Sequence, residues 1–205
     1  MSDRLNSVLK QYANIASSTI GHVLDTGYLP DIHAVNSVQH VVGKVLTVTL
    51  NSINATQIRN ALLESNAGDV LVIDARKLGY HACWGEQRHR AAIYHQLAAI
   101  VVIGAVTDID ALRAMKVPVF AQRVSCLTTR SEGESLVDFD QDIQYFDATI
   151  STGDVMVADA DGVFILKPDL AAQHVEEFQN MELLEQQKRE QFFSQHSPEH
   201  YYHTI

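Results

Sequence analysis

Apolar residues fall along this chain in two rhythms. Leu5, Val8, Leu9, Tyr12 and Ile15 recur at helical spacing and predict an N-terminal helix over residues 3–26, closed by Thr26-Gly27. A second long helix is predicted from Pro168 to about residue 195, where Val175, Phe178, Met181 and Leu184 recur at intervals of three and must be buried. Between them the pattern changes to β-branched runs. Residues 39–50 read as a strand with Gly43 in its middle, a sign of a bulge or of close backbone approach. Val70-Leu71-Val72-Ile73 ends in Asp74, and a strand is predicted over 100–106, where the β-branched run Ile100-Val101-Val102-Ile103 meets Gly104 before Ala105-Val106 and then Thr107-Asp108. Pro118 to Ala121 reads as a further strand, and Ala160-Asp161-Gly162 as a tight hairpin joining two apolar segments. Shorter helices are expected over 55–66, 85–98 and 110–115, and a polar loop over 128–134. Gly68-Asp69-Val70 and Gly153-Asp154-Val155 read as one kind of turn used twice.

Strands that are apolar on both faces, separated by helical segments, predict an α/β domain with a β/α core over about 39–167 and flanking terminal helices. Composition narrows the partners. Asp and Glu number 25 against 15 Lys and Arg, a formal net charge of -10, which argues against nucleic acid and leaves small molecules or proteins. No apolar stretch approaches the roughly 18 residues of a membrane span, and Met1-Ser2-Asp3-Arg4 leads into a polar helix, so a cytoplasmic location is expected. Cys83 and Cys126 are too few and too far apart for a disulfide framework or a zinc ribbon. The tail from His196 to His203 has metal-like histidine spacing, but it reads first as a flexible end.

The candidate chemistry sits where the apolar runs stop. Asp108 follows a buried strand, and polar groups at such strand ends face the crevice where α/β sheets bind ligands. It also precedes Ile109-Asp110-Ala111-Leu112-Arg113 and reads equally well as a plain helix cap. Trp84-Gly85-Glu86-Gln87-Arg88 opens a helix, whose first N–H groups lack intrahelical partners and suit an anion. His81, His89 and His95 read first as surface or core histidines.

Taken together, residues 68–74, Trp84-Gly85-Glu86, Gly104–Asp108 and Gly153–Val163 resemble the RraA-like family, over roughly residues 15–190. That family includes the class II 4-hydroxy-4-methyl-2-oxoglutarate aldolases and the regulators of ribonuclease E activity. The resemblance implies a swivelling β/β/α domain, assembled into homotrimers or homohexamers with active sites at subunit boundaries. It implies Mg2+ or Mn2+ held directly by Asp108 and through water by Glu86. Gly85, Glu86, Gln87, Arg88 and Thr107 would line the site of a small 2-oxo acid, whose C–C bond is cleaved with Asp108, Glu86 and Arg88 as catalytic residues. Oxaloacetate decarboxylation is the related side reaction. Aldolases of the family carry Arg where this chain has Thr107, and Arg88, Arg76 and Arg123 are candidates to compensate. Glu182 and Glu185 of the terminal helix are candidates to approach a neighbour's pocket. The alternative within the same resemblance is a non-catalytic regulator that binds a protein such as a ribonuclease or helicase.

Overall fold

In the computed structural model, which describes residues 2–37 and 40–195, the chain opens with helices α1 (Ser2–Gln11) and α2 (Ser17–Gly21). The central region runs through β1 (His33–Ala34), β2 (Val41–Leu50), α3 (Ile58–Glu64), β3 (Asp69–Asp74), α4 (Glu86–Tyr94), β4 (Ala99–Val106), α5 (Ile109–Arg113) and β5 (Val119–Val124). Three short strands follow, β6 (Val137–Phe139), β7 (Ile143–Tyr145) and β8 (Ala148–Ile150). The chain then makes β9 (Val155–Ala158), β10 (Val163–Leu166) and the long helix α6 (Pro168–Gln195).

The main sheet has the order β1-β5-β4-β3-β2-β9-β10. Strands β2 to β5 are parallel, as β–α–β crossovers require, and β1, β9 and β10 pair antiparallel. Strand β9 takes the first half of one edge of β2, and β6 takes the second half. Residues 27–34 run between the two outer edges: Tyr28 bridges to Phe164 on β10, and His33–Ala34 pair with β5, which nearly closes the sheet.

Alternation along the strands sorts side chains into separate cores. Val70 and Val72 of β3, with Val101 and Ile103 of β4, point to the inner side and pack with Leu29, Phe120, Tyr145 and Met156. Leu71 and Ile73, with Ile100 and Val102, point outward under α3 and α4, against Ile58, Leu62 and Trp84. The hairpin β9–β10 turns Val155, Val157 and Phe164 toward α1, α2 and α6. Each such fully buried aliphatic side chain contributes about 1.5–3 kcal/mol, which explains why both faces of the apolar strands are covered.

The α/β class and the two flanking helical regions agree with the sequence pattern, while several boundaries do not. The expected helix over 3–26 is broken into α1 and α2. Its restart is held by distant groups: Ser17 N–H donates to Asp159 Oδ2 at 2.7 Å, and Ala16 N–H to Glu182 Oε1 at 2.9 Å. A five-residue helix survives because those carboxylates satisfy its first donors. The sheet also begins earlier than residue 39, at His33. Helices expected over 55–66, 85–98 and 110–115 are shorter, and the strand near 118–121 runs on to Val124. Strands β6 to β8 were not predicted, although Ile143 and Tyr145 alternate with polar neighbours. In α6, Val175 and Phe178 are buried as expected, but Leu184 stays 53% exposed because the helix has by then run past α1 and α2. The histidine-rich tail lies outside the described residues.

The two Gly-Asp-Val segments are indeed one turn used twice. Asp69 Oδ2 accepts Asn66 N–H at 2.9 Å, Asp154 Oδ2 accepts Ser151 N–H at 2.8 Å, and each carboxylate is paired with a lysine, Lys44 or Lys167. Gly68 and Gly153 take φ of 86° and 96°, the region that favours glycine. Gly43 marks close approach rather than a bulge: a Cβ there would lie 2.5 Å from Val70 Cγ2 and 2.7 Å from the Gly68 carbonyl. Tyr12, just after α1, ties this end of the chain to α6 through its hydroxyl, which donates to the Ala171 carbonyl at 2.9 Å.

Two outcomes follow for stability. Gly43→Ala is expected to cost about 1–3 kcal/mol through overpacking, read as a lower urea midpoint with an unchanged slope. Burial pushes the Asp159 carboxyl up, but hydrogen bonds from the Ser17 hydroxyl and N–H and from Asp161 N–H outweigh it and leave it below its ordinary value. Its contribution is therefore present above about pH 4 and is lost as pH falls through the lowered folded value. Asp159→Ala should lower stability by roughly 1–2 kcal/mol at pH 7, with the difference from wild type shrinking toward pH 2. A difference that stays constant across this range would contradict the assignment.

Candidate active site

The two sequence motifs are brought together by the end of β4. As expected, the strand passes through Gly104 and ends at Val106, with a register shift against β5 between Val102 and Ala105. Gly104, at φ 154°, lies where the chain leaves β3, and a Cβ there would come within 2.9 Å of Ala75 Cβ. Beyond that crossing, residues 82–84 run alongside the end of β4. Cys83 N–H donates to the Ala105 carbonyl at 3.2 Å, and Thr107 N–H donates to the Trp84 carbonyl at 2.8 Å. The fully buried Trp84 anchors this segment in the outer core. Gly85 is thereby set against Thr107 and Asp108, so tightly that a Cβ would meet Asp108 Oδ2 at 2.5 Å and Thr107 Cγ2 at 2.8 Å.

Asp108 precedes α5, and its carbonyl accepts the Leu112 N–H at 3.0 Å, yet its side chain does not cap that helix. The residue is left-handed, φ 56° and ψ 42°, and its Oδ2 accepts Glu86 N–H at 2.9 Å, at the start of α4 instead. The left-handed backbone turns the carboxylate away from its own helix and onto another.

A concavity of about 280 Å³ opens here, lined by Ala82, Cys83, Trp84, Gly85, Gln87, Arg88, Thr107, Asp108, Thr128 and Thr129. A second, of about 340 Å³, shares Thr107 and Asp108 and extends over Ile109, Asp110, Val124 and Cys126. Five of the six predicted site residues, Gly85, Gln87, Arg88, Thr107 and Asp108, therefore line one pocket. Glu86 joins it only through its N–H, because its carboxylate accepts Arg90 Nε and Nη2 at 2.9 and 2.7 Å, one helical turn on. Thr128 and Thr129 are pocket residues that the sequence left inside a polar loop, with no local signal to single them out.

Arg88 forms part of the wall. Its Nη1 donates to the Cys83 carbonyl and its Nη2 to the Ala55 carbonyl at 3.1 Å, and burial lowers its pKa from the ordinary value. Among the described residues no carboxylate pairs with it. Arg76 and Arg123 are not brought to the pocket. Arg76 forks onto Asp74 at 2.7 and 2.9 Å and lies over the Tyr145 ring, while Arg123 lies over Tyr80. Glu182 is held at α2, with Thr19 Oγ1 donating to it at 2.5 Å, and Glu185 pairs with Arg189.

Burial pushes the Cys83 thiol up to about 12, against the pull of Arg88, so it stays protonated at neutral pH and is no nucleophile. His89 is a core residue. Trp84 Nε1 donates to its Nδ1 at 3.3 Å, which leaves the proton on Nε2, and burial lowers its pKa. His89 Nε2 is buried without a hydrogen-bond partner among the described residues. His81 contacts the Leu78 carbonyl through Nδ1, and neither it nor His95 lines the pocket.

Comparison with known proteins agrees with this architecture. A protein from Halalkalibacterium halodurans, named "Putative 4-hydroxy-4-methyl-2-oxoglutarate aldolase", is 30% identical over 160 residues, 77% of this chain and 75% of its own. A Thermus thermophilus protein of the same name is 30% identical over 124 residues, 60% of this chain and 74% of its own. Among solved structures, a Streptomyces coelicolor member of the RNase ES inhibitor RraA family superposes with a TM-score of 0.79 at 22% identity, covering 91% of this chain and 98% of that one. An uncharacterized Pseudomonas syringae protein gives 0.78 at 23% identity, covering 94% of both chains. These structural likenesses speak to the fold alone. The RraA-like family model, described as Aldolase/RraA, matches residues 15–165, and the chain belongs to that family.

Proposed function

We propose that this chain is a divalent-metal-dependent lyase that cleaves a C–C bond in a pyruvyl-containing 2-oxo acid. The observation that carries the reading is the meeting of the Asp108 carboxylate with the first N–H of α4 in one pocket. The aldolase names of the relatives support the same reaction class.

Among the described residues no three His, Cys, Asp or Glu side chains converge on a metal. The pocket offers one carboxylate with hydroxyl and backbone oxygens, a donor set that fits Mg2+ or Mn2+ kept largely among water and substrate oxygens. Asp108 would hold it. When bound, such an ion supplies Lewis-acid stabilisation to a neighbouring keto oxygen.

This chain's residues do the rest. The α4 N–H groups bind the substrate carboxylate at the positive end of the helix. The Thr107, Thr128 and Thr129 hydroxyls hydrogen-bond the remainder of the substrate, and Arg88 braces the wall between Cys83 and Ala55. In the cleavage direction the C4 hydroxyl gives up its proton to water, C4 becomes a carbonyl as the C3–C4 bond breaks, and that bond's electron pair passes through C3 to the keto oxygen. C3 then takes a proton back from water and pyruvate leaves. The first concavity is lined by no second carboxylate side chain: Asp110 lines the adjoining one, and the Glu86 carboxylate is engaged by Arg90. Loss of carbon dioxide from oxaloacetate needs no base, so it is the least demanding reaction here.

Family membership supports assembly into homotrimers or homohexamers, and the exposed Val124 and Leu127 beside the pocket support a subunit contact there. No helix among the described residues is long and apolar enough to cross a membrane, which agrees with a cytoplasmic enzyme.

Protein stripped of metal and given Mg2+ should release pyruvate from a 4-hydroxy-2-oxo diacid or carbon dioxide from oxaloacetate. Asp108→Asn should reduce that turnover by about 100-fold or more. No Mg2+-dependent release across a panel of such acids would overturn the reading and leave a binding protein. Thr107→Arg restores a forked cation beside Asp108 and should raise kcat/KM for diacids by about tenfold or more. A fall would show that Thr107 makes room for a different substrate group.

A further inference from the structure

His89 is fully buried on α4 and does not line the pocket, yet it carries two polar ring atoms into the outer core. Its Nδ1 accepts the Trp84 indole N–H at 3.3 Å, and the two rings meet edge to face, 6.4 Å apart. Its Nε2 finds no hydrogen-bond partner among the described residues. A buried N–H left unpaired works against folding, and a leucine of similar bulk would avoid it. The imidazole therefore calls for a reason other than packing, and Nδ1 supplies one.

The segment that His89 holds is the one that shapes the pocket. Its own N–H donates to the Gly85 carbonyl at 3.0 Å, while the Trp84 carbonyl accepts the Thr107 N–H at 2.8 Å from the other side. Trp84-Gly85 is thus clamped between α4 and the end of β4. Gly85 already stands at contact distance from Thr107 and Asp108, so a few tenths of an ångström there alter the pocket. We propose that His89 is a positioning residue: by accepting the Trp84 indole N–H, it fixes how Gly85 seats against Thr107 and Asp108. Its effect on turnover rests on reading the pocket as a lyase site; its effect on geometry does not. Burial disfavours the charged ring, which keeps the Nδ1 lone pair available at neutral pH.

The test asks where the acceptor stands. His89→Leu removes it, His89→Asn places an oxygen at the Nδ1 position, and His89→Gln carries its oxygen one bond farther out. Trp84 is the chain's single tryptophan, so emission reports this one indole. His89→Leu and His89→Gln should move emission to shorter wavelength, and Thr107 amide hydrogen exchange should speed by about tenfold, whereas His89→Asn stays within about twofold of wild type. Leucine exchanges one unpaired N–H, on Nε2, for another, on Trp84, so its urea midpoint should stay close to wild type. With Mg2+, kcat/KM for oxaloacetate should fall by about tenfold in His89→Leu and His89→Gln and recover in His89→Asn. Unchanged Thr107 exchange in His89→Leu would overturn the proposal. So would equal loosening in His89→Asn and His89→Gln, a comparison that holds even if the leucine variant does not fold. Should wild type turn over no 2-oxo acid while exchange and emission behave as expected, the lyase reading falls and the positioning role stands.

Discussion

Strands β3 and β4 are apolar on both faces, and neither face can be left in water. That constraint organises the molecule. The inward face requires the sheet to curl until residues 27–34 reach from β10 to β5 and enclose an inner core. The outward face requires α3 and α4 to cover the parallel strands, while α1, α2 and α6 cover the β9–β10 hairpin. With helices held over parallel strands, the start of α4 and the end of β4 fall at the same end of the sheet. A site built from backbone donors and a strand-end acid is a consequence of that covering.

Two helices in this fold take their first hydrogen-bond acceptors from acids far along the chain. Asp159 and Glu182 hold the first donors of α2, and Asp108 holds the first donor of α4. A five-residue helix has too few internal hydrogen bonds to offset its own ordering, so its position reports on the tertiary structure around it. The same economy ties the site to stability. Asp108 is at once the candidate metal ligand and part of what fixes the beginning of α4.

Much of the site was legible. The Gly-Glu helix start and the acid beyond the apolar run stand out by residue type, and the family resemblance joined them. The strand through Gly104 was legible as running to residue 106, but the reason a glycine follows four β-branched residues was not; the crossing over Ala75 that requires it is invisible in sequence. Glu86 was assigned as an acid facing the metal, but spacing also placed it one turn from Arg90, and that local pair prevails in the structure. Thr128 and Thr129 could not be distinguished from any polar loop, since what makes them pocket residues is the bridge from Ala82 to Thr128.

Hydrophobic periodicity alone determined the α/β class, both long terminal helical segments and the buried strands, because burial follows local pattern when both faces are apolar. It also determined that Gly68-Asp69 and Gly153-Asp154 are the same turn, since that turn is stabilised within four residues. Tertiary structure decided where the first helix breaks, which side chains line the pocket and which helix Asp108 serves. Those outcomes turn on hydrogen bonds between residues 22 to 166 positions apart, whose geometry no local pattern records.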